Sequence, residues 1–221
     1  MTILTTGGSG VLGRAAIPLL RDAGHEVSAP GHEQLDLFDP QSVSAAVDGT
    51  DAVLHLATRI PPPQAQGDPA AWRENDRLRA VATPVLVGAA LAARVSCFVF
   101  PSIAFVYPPT GEVDESTPVA DEVPAVTRSA LEAERQVGRF GGNGGRGVVL
   151  RLGLLYGPGT GSETPAERYA SYGATLRIED AGRALAASLD APSGVYNVVR
   201  DGERVSNERF KETAGWRPLY S

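Results

Sequence analysis

The sequence predicts an α/β fold, a Rossmann-type doubly wound parallel sheet, and three observations carry that prediction. A short β-branched run from Thr2 to Thr6 enters Gly7-Gly8-Ser9-Gly10-Val11-Leu12-Gly13, and a helical pattern of Val11, Leu12, Ala15, Ala16, Leu19 and Leu20 leaves it. The later apolar runs 51–58, 95–100 and 148–152 have the unbroken hydrophobicity of parallel strands covered on both faces. Helix-forming stretches separate these runs, which is the alternation that closes through right-handed crossovers.

The first turn needs glycine because one residue takes positive φ and another lets the backbone approach a pyrophosphate. The helix behind it offers unpaired N–H groups and a partial positive charge to the same anion. In a chain with 25 glycines, a turn without ligand is the alternative. The first helix spans 10–23, with Pro18 predicting a kink or a loose first turn and Gly24 ending it. The second strand is 25–29. Its end, Ser28-Ala29-Pro30-Gly31-His32, holds no acid before Glu33, where NAD-binding folds place one for the ribose 2′-hydroxyl. This favours NADP over NAD, with Arg14 or His32 as the 2′-phosphate contact.

Asp39 followed by Pro40 reads as a helix cap, with a short helix over 42–47. Asp36 either faces the adenine edge or serves as a turn acid. The proline-rich stretch 60–69 predicts an extended, non-helical loop at the carboxyl end of the third strand, where open α/β sheets bind ligands. A long helix over 70–93 follows, interrupted near Pro84. The fourth strand, 95–100, leads to a loop at 102–109. An amphipathic helix over 129–139 precedes a glycine-rich flexible connector, 140–147, which lacks the strand-before, helix-after context of a phosphate loop. There is no internal repeat.

With 221 residues, 43% hydrophobic and 21% charged, the chain is sized for one α/β domain with a small lobe. A net charge of -6 without a basic run argues against nucleic acid as a partner. No stretch has membrane-spanning length, and residues 1–10 do not resemble a signal peptide, so a cytoplasmic protein is expected. Cys97, the sole cysteine, sits in an apolar run as a buried structural thiol, and His25, His32 and His55 lack metal-ligand spacing, so no metal is expected. Lys211 is the sole lysine.

Taken together, several motifs resemble the extended short-chain dehydrogenase/reductases, the group of NAD(P)-dependent epimerases, dehydratases and ketoreductases. Thr5 through Gly13 resembles the family's cofactor turn, Asp36-Leu37 its adenine-contacting pair, and His55-Leu56-Ala57-Thr58 its strand end beside the cofactor ribose. Asn75 falls at a structural Asn, and Arg151 through Tyr156-Gly157-Pro158-Gly159 is similar to the family's Arg-x4-Tyr-Gly-Pro-Gly. The stretches 179–184, 194–198 and Gly215-Trp216-Arg217-Pro218 resemble its later helix, strand and C-terminal motif. The resemblance implies an NAD(P)-binding Rossmann domain over 1–160. It implies a small substrate lobe over 161–221, interleaved with the sheet. It implies cofactor contacts from Gly7, Ser9, Gly10, Val11, Leu12, Gly13, Arg14, His32, Asp36, Leu37, Leu56, Ala57 and Thr58. It also implies a monomer or homodimer.

The departures are as informative. The family's chemistry uses Tyr-x-x-x-Lys on one helix face and a Ser or Thr beside it. With Glu134 as anchor, the tyrosine position holds Val126 and the lysine position Ala130; the Ser/Thr position holds Ile103. The nearest polar groups are Ser102, Tyr107, Thr127, Arg128 and Tyr156, of which Ser102 and Tyr107 are the catalytic candidates. The family's members are also longer between Gly159 and Glu179 and after Pro218, which implies either a protein whose substrate lid is shortened or absent or a sequence from which those residues are missing. Atypical ketoreductases, including angucyclinone-type ones, share this triad loss. The resemblance therefore implies an NADPH-dependent ketoreductase acting on an aromatic or polycyclic ketone of secondary metabolism, an antibiotic pathway for example. A non-catalytic coenzyme sensor is the alternative. A nucleotide-sugar epimerase or dehydratase ranks third, because it needs the tyrosine base.

Overall fold

The glycine turn joins β1 (Thr2–Thr6) to α1 (Val11–Asp22), and β2 (Glu26–Ser28) follows. The computed structural model describes residues 1–123, 125–165 and 173–220, and not the side chains of Pro63, Ala125 and Val126. The chain continues through α2 (Pro40–Val47), β3 (Ala52–His55), α3 (Arg73–Arg77), α4 (Thr83–Ala92), β4 (Cys97–Ile103), α5 (Ala125–Gly142) and β5 (Arg146–Leu152). It ends with β6 (Leu154–Tyr156), β7 (Thr175–Arg177), α6 (Ile178–Ala187), β8 (Gly194–Val198) and α7 (Glu208–Ala214).

Six strands form one sheet in the order β2-β1-β3-β4-β5-β8, and every pairing in it is parallel. This is the doubly wound architecture that the alternation of apolar runs predicts. The strand order reverses at β1, so the crevice beyond the carboxyl ends of β1 and β3 is the ligand position of such a sheet. Buried side chains cover both faces. Ala16 and Leu20 of α1 with Ala181, Ala184 and Leu185 of α6 cover one. Val43 and Val47 of α2, Leu86 and Val87 of α4, and Val137 and Phe140 of α5 cover the other. Helices α1 and α6 approach closely enough that a Cβ on Gly182 would lie 2.7 Å from the Ala15 carbonyl oxygen.

The C-terminal tail is fastened to α6. The buried carboxylate of Asp180 accepts from the backbone N–H groups of Leu219 (3.0 Å) and Tyr220 (3.1 Å) and pairs with Arg183 at 2.7 Å.

Several local expectations are corrected. The stretch 60–69 is not simply extended: 3₁₀ turns form at Pro63–Ala65 and, just beyond, Pro69–Trp72. Proline's fixed φ suits the first position of such turns, and Asp68 caps the second one by accepting from Ala70 N. The long helix is interrupted near Pro84 as expected, and the interruption is a π turn at Leu78–Ala82. The wider turn absorbs the hydrogen bond that proline cannot donate. Helix α1 runs unbroken through Pro18, which sits on its exposed side. Strand β4 extends through Ser102 to Ile103, because Pro101–Ile103 pair with Leu150–Leu152. The 140–147 stretch is no loose connector: a Cβ on Gly145 would meet the Phe140 ring at 2.2 Å, and one on Gly147 the Val137 carbonyl at 2.2 Å. The short pair β6–β7 has no counterpart among the expected strands. The expected lid region includes 166–172, which lie outside the described residues.

Candidate active site

The crevice begins with the first loop. Gly7 has φ +70°, and a Cβ there would stand 2.6 Å from the Ala57 backbone. A Cβ on Gly13 would stand 2.3 Å from the Gly8 carbonyl oxygen. The turn is therefore closed against β3's end and against itself, and only glycine fits both positions. Gly10 caps α1 without a side-chain hydrogen bond, and the first turn of α1 holds no acidic residue. Ser9 and Gly10 are exposed, and Val11 and Leu12 half-buried. Uncapped amides at a helix start with no competing carboxylate suit a pyrophosphate, so the residues present fit the nucleotide that such a loop takes.

Around the loop, β2's end packs on Gly8, where a Cβ would lie 2.7 Å from the Ala29 Cβ. Arg14 points elsewhere. Its guanidinium donates to the Ser9 carbonyl, and its Nη2 lies 3.2 Å from where a Gly159 Cβ would stand. His32 and Asp36 are exposed on the β2–α2 connection, and Leu37 is half-buried there. One Asp36 oxygen accepts from Phe38 N at 2.8 Å and closes the local turn. Leu56 is buried, Ala57 half-buried and Thr58 exposed beyond β3. Asn75 is buried and accepts from Arg59 N at 3.1 Å, fixing the chain that leaves β3.

His55 forms the floor beneath. Its Nδ1 lies 2.7 Å from Thr6 Oγ1, and its ring packs against Phe98 and Phe100. Burial, with a smaller push from the Arg79 charge, lowers its pKa to about 4. It is neutral at neutral pH. Arg79, buried in the π turn, is itself pushed down to about 10 by burial, against the opposing charges of Asp76 and Glu134.

The expected catalytic positions lie on β4 and α5. Val126, Ala130 and Glu134 fall at helical-turn spacing on α5, so they share a face. Ala130 is fully buried and Ile103, at the end of β4, half-buried; the Val126 side chain is outside the described residues. Lys211 is held in α7 by Asp201 at 2.6 Å and Glu208 at 2.8 Å.

Ser102 and Tyr107 come together, but inside a buried network. Ser102 donates to Glu134 Oε1 at 2.5 Å, and Arg151 donates to both Glu134 oxygens, at 3.1 and 2.8 Å. Arg151 also donates to the Tyr107 hydroxyl at 2.9 Å, and that hydroxyl donates to Asn197 Oδ1 at 2.8 Å. Burial raises the Tyr107 pKa, with Arg151 opposing it. For Arg151, burial alone would lower the pKa, but hydrogen bonding and charge from Glu134 outweigh it and raise it. Arg79 is a structural participant that no motif announced; Asn197 lay in the 194–198 motif and Glu134 served as the anchor for the expected Tyr-x-x-x-Lys positions, but neither was singled out as part of a network.

Comparison with known proteins agrees with this geometry. The NAD dependent epimerase/dehydratase family matches residues 3–198. The chain belongs to that family, and with it to the NAD(P)-dependent oxidoreductases. It is 35% identical over 224 aligned positions to a 3-diazoavenalumate denitrifying reductase of a Streptomyces species, covering 90% of this chain and 67% of that one. It is 30% identical to a 2-alkyl-3-oxoalkanoate reductase of Stenotrophomonas maltophilia, covering 76% of this chain and 56% of that one. The chain thus spans about two-thirds of one relative and little more than half of the other. In structure it resembles UDP-N-acetylglucosamine 4-epimerase from Bacillus cereus, with TM-score 0.82, 18% identity, and coverage of 100% of this chain and 94% of that one. It also resembles Thermus thermophilus UDP-glucose 4-epimerase in complex with NAD, with TM-score 0.78, 20% identity, and coverage of 100% and 95%. Among the described residues, no helix is long and apolar enough to cross a membrane.

Proposed function

We propose that this chain binds NADPH and passes hydride to an aromatic electrophile without a proton from the protein. One observation carries the reading. The positions of the family's proton relay hold hydrocarbon (Ile103, Val126 and Ala130), while the nearest hydroxyls, Ser102 and Tyr107, are bonded to Glu134, Arg151 and Asn197. Gly7, Ser9, Gly10, Val11, Leu12 and Gly13 hold the pyrophosphate, and Asp36 and Leu37 border the adenine. Leu56, Ala57 and Thr58 line the ribose, and His32 stands at the 2′-phosphate. The nicotinamide, when bound, supplies the hydride. The chain's own part is to orient it and exclude water, with 1–160 holding nucleotide and 161–221 contributing the substrate side. A positioned proton donor ordinarily contributes roughly 10²–10⁴-fold, so the substrate must not need one.

Two substrate classes meet that requirement. The first is an aromatic or polycyclic ketone of secondary metabolism whose own phenol or quinone oxygens share the proton. The second is an aryl diazo compound, which the Streptomyces relative's activity favours. There the hydride electron pair forms the new C–H bond, the C–N pair leaves with dinitrogen, and no proton enters or departs. Losing the family's ammonium at Ala130 also removes a charge that would repel a diazonium ion.

Single-turnover oxidation of NADPH by an arenediazonium and by a panel of aromatic ketones tests this. Transfer of deuterium from labelled NADPH to the product carbon is expected, with a solvent isotope effect near unity for the arenediazonium and, for the ketones, one that Tyr107→Phe leaves unchanged. A large solvent isotope effect that disappears in Tyr107→Phe would restore a protein proton donor. Tight NADPH binding with no turnover on either class would favour the sensor reading.

A further inference from the structure

We infer that Arg14 clamps the coenzyme pyrophosphate from across the loop, and so strengthens NAD and NADP binding alike instead of selecting NADP. The inference rests on the coenzyme reading above and is independent of the hydride step. Arg14 lies in the first turns of α1, where a long side chain runs back toward the helix start. Its guanidinium is exposed, is tethered to the Ser9 carbonyl, and abuts Gly159 of the Tyr156-Gly157-Pro158-Gly159 turn. Gly159 has φ +79°, and a side chain there would press on Nη2, so that turn leaves room for the guanidinium. One nitrogen anchored on Ser9 holds the planar fork beside the loop that opens α1, and its remaining donors match paired phosphate oxygens. A 2′-phosphate belongs at β2's end, which meets the loop at Gly8 through Ala29, whereas Arg14 touches Ser9 and the Gly159 turn.

The test is fluorescence titration of the full chain with NADPH, NADH and ADP-ribose. Arg14→Gln is expected to weaken all three by about tenfold, the scale of a charge-assisted hydrogen bond, leaving the NADPH to NADH affinity ratio within about twofold. Arg14→Lys, which keeps the charge and loses the fork, should recover part of the loss. Gly159→Ala should weaken both coenzymes by displacing the guanidinium. A loss confined to NADPH would assign Arg14 to the 2′-phosphate and overturn the clamp, as would unchanged affinity for all three. Failure of the unaltered chain to bind any of the three would instead remove the coenzyme site itself.

Discussion

The two ends of the crevice have been treated differently. At the β1–α1 loop the residues fit a nucleotide: Gly7 with positive φ packs against Ala57, Gly13 packs against Gly8, and the helix start has no side-chain cap and no acid. At the β4–α5 end the buried scaffold is intact, while the positions expected to carry the proton relay hold none of its residue types. Glu134, Arg151, Ser102, Tyr107 and Asn197 keep their buried connections, while Ile103 and Ala130 present hydrocarbon. The difference teaches that the network under the family's catalytic face is a folding element first. It holds β4, β5, β8 and α5 in register whether or not a proton relay stands on top of it.

The largest expected effect tests that claim. Glu134→Leu leaves Arg151 buried without its carboxylate, and denaturant titration should show a loss of about 3–5 kcal/mol. A loss under about 1 kcal/mol would mean the network is decorative. Next comes acid sensitivity. His55 is folded neutral, with its pKa lowered to about 4 mainly by burial. Its contribution is fully present above the ordinary value near 6.5 and is lost as pH falls from there toward 4, because only the unfolded chain takes up the proton. Between pH 7 and 5 the unaltered chain should lose about 2 kcal/mol more than His55→Asn, which keeps a partner for Thr6 and cannot titrate. Equal losses would contradict the buried neutral imidazole.

At the loop end, Gly13→Ala should lower NADPH affinity more than about tenfold and stability by about 1–3 kcal/mol, through its clash with Gly8. Unchanged binding would show that the loop is not the nucleotide site. The smallest effect is expected from Ser102→Ala and Tyr107→Phe. Each should cost about 1 kcal/mol of stability, while single-turnover hydride transfer stays within about threefold of the unaltered chain. A drop of a hundredfold in Tyr107→Phe would bring the two ends of the crevice back into one mechanism.

The loop end was legible in the sequence because its constraints are local. Gly7 through Gly13, the missing acid after β2 and the capped Pro40 all act over a few residues, and β1, β3, β4 and β5 announce themselves as apolar runs. The network was not legible, because its partners are far apart in the chain: Tyr107 and Asn197 are 90 residues apart, and Ser102 and Glu134 are 32 apart. Nothing in spacing pairs them: the parallel register of β4, β5 and β8 lines up Ser102, Arg151 and Asn197, and the packing of α5 and of the chain after β4 brings in Glu134 and Tyr107. Arg79 reads in sequence as one more charge on a polar helix, and only the π turn beneath α5 buries it. The pair β6–β7 was hidden because its strands are only three residues each, one of them inside a motif noticed for its glycines.

The clasp between Asp180 and the backbone of Leu219 and Tyr220 has a practical consequence. Trimming the chain by even three residues would strip amide donors from a fully enclosed anion and leave Arg183 as its chief counter-ion. Variants shortened there should therefore melt earlier than the intact protein, although Leu219 is 69% exposed.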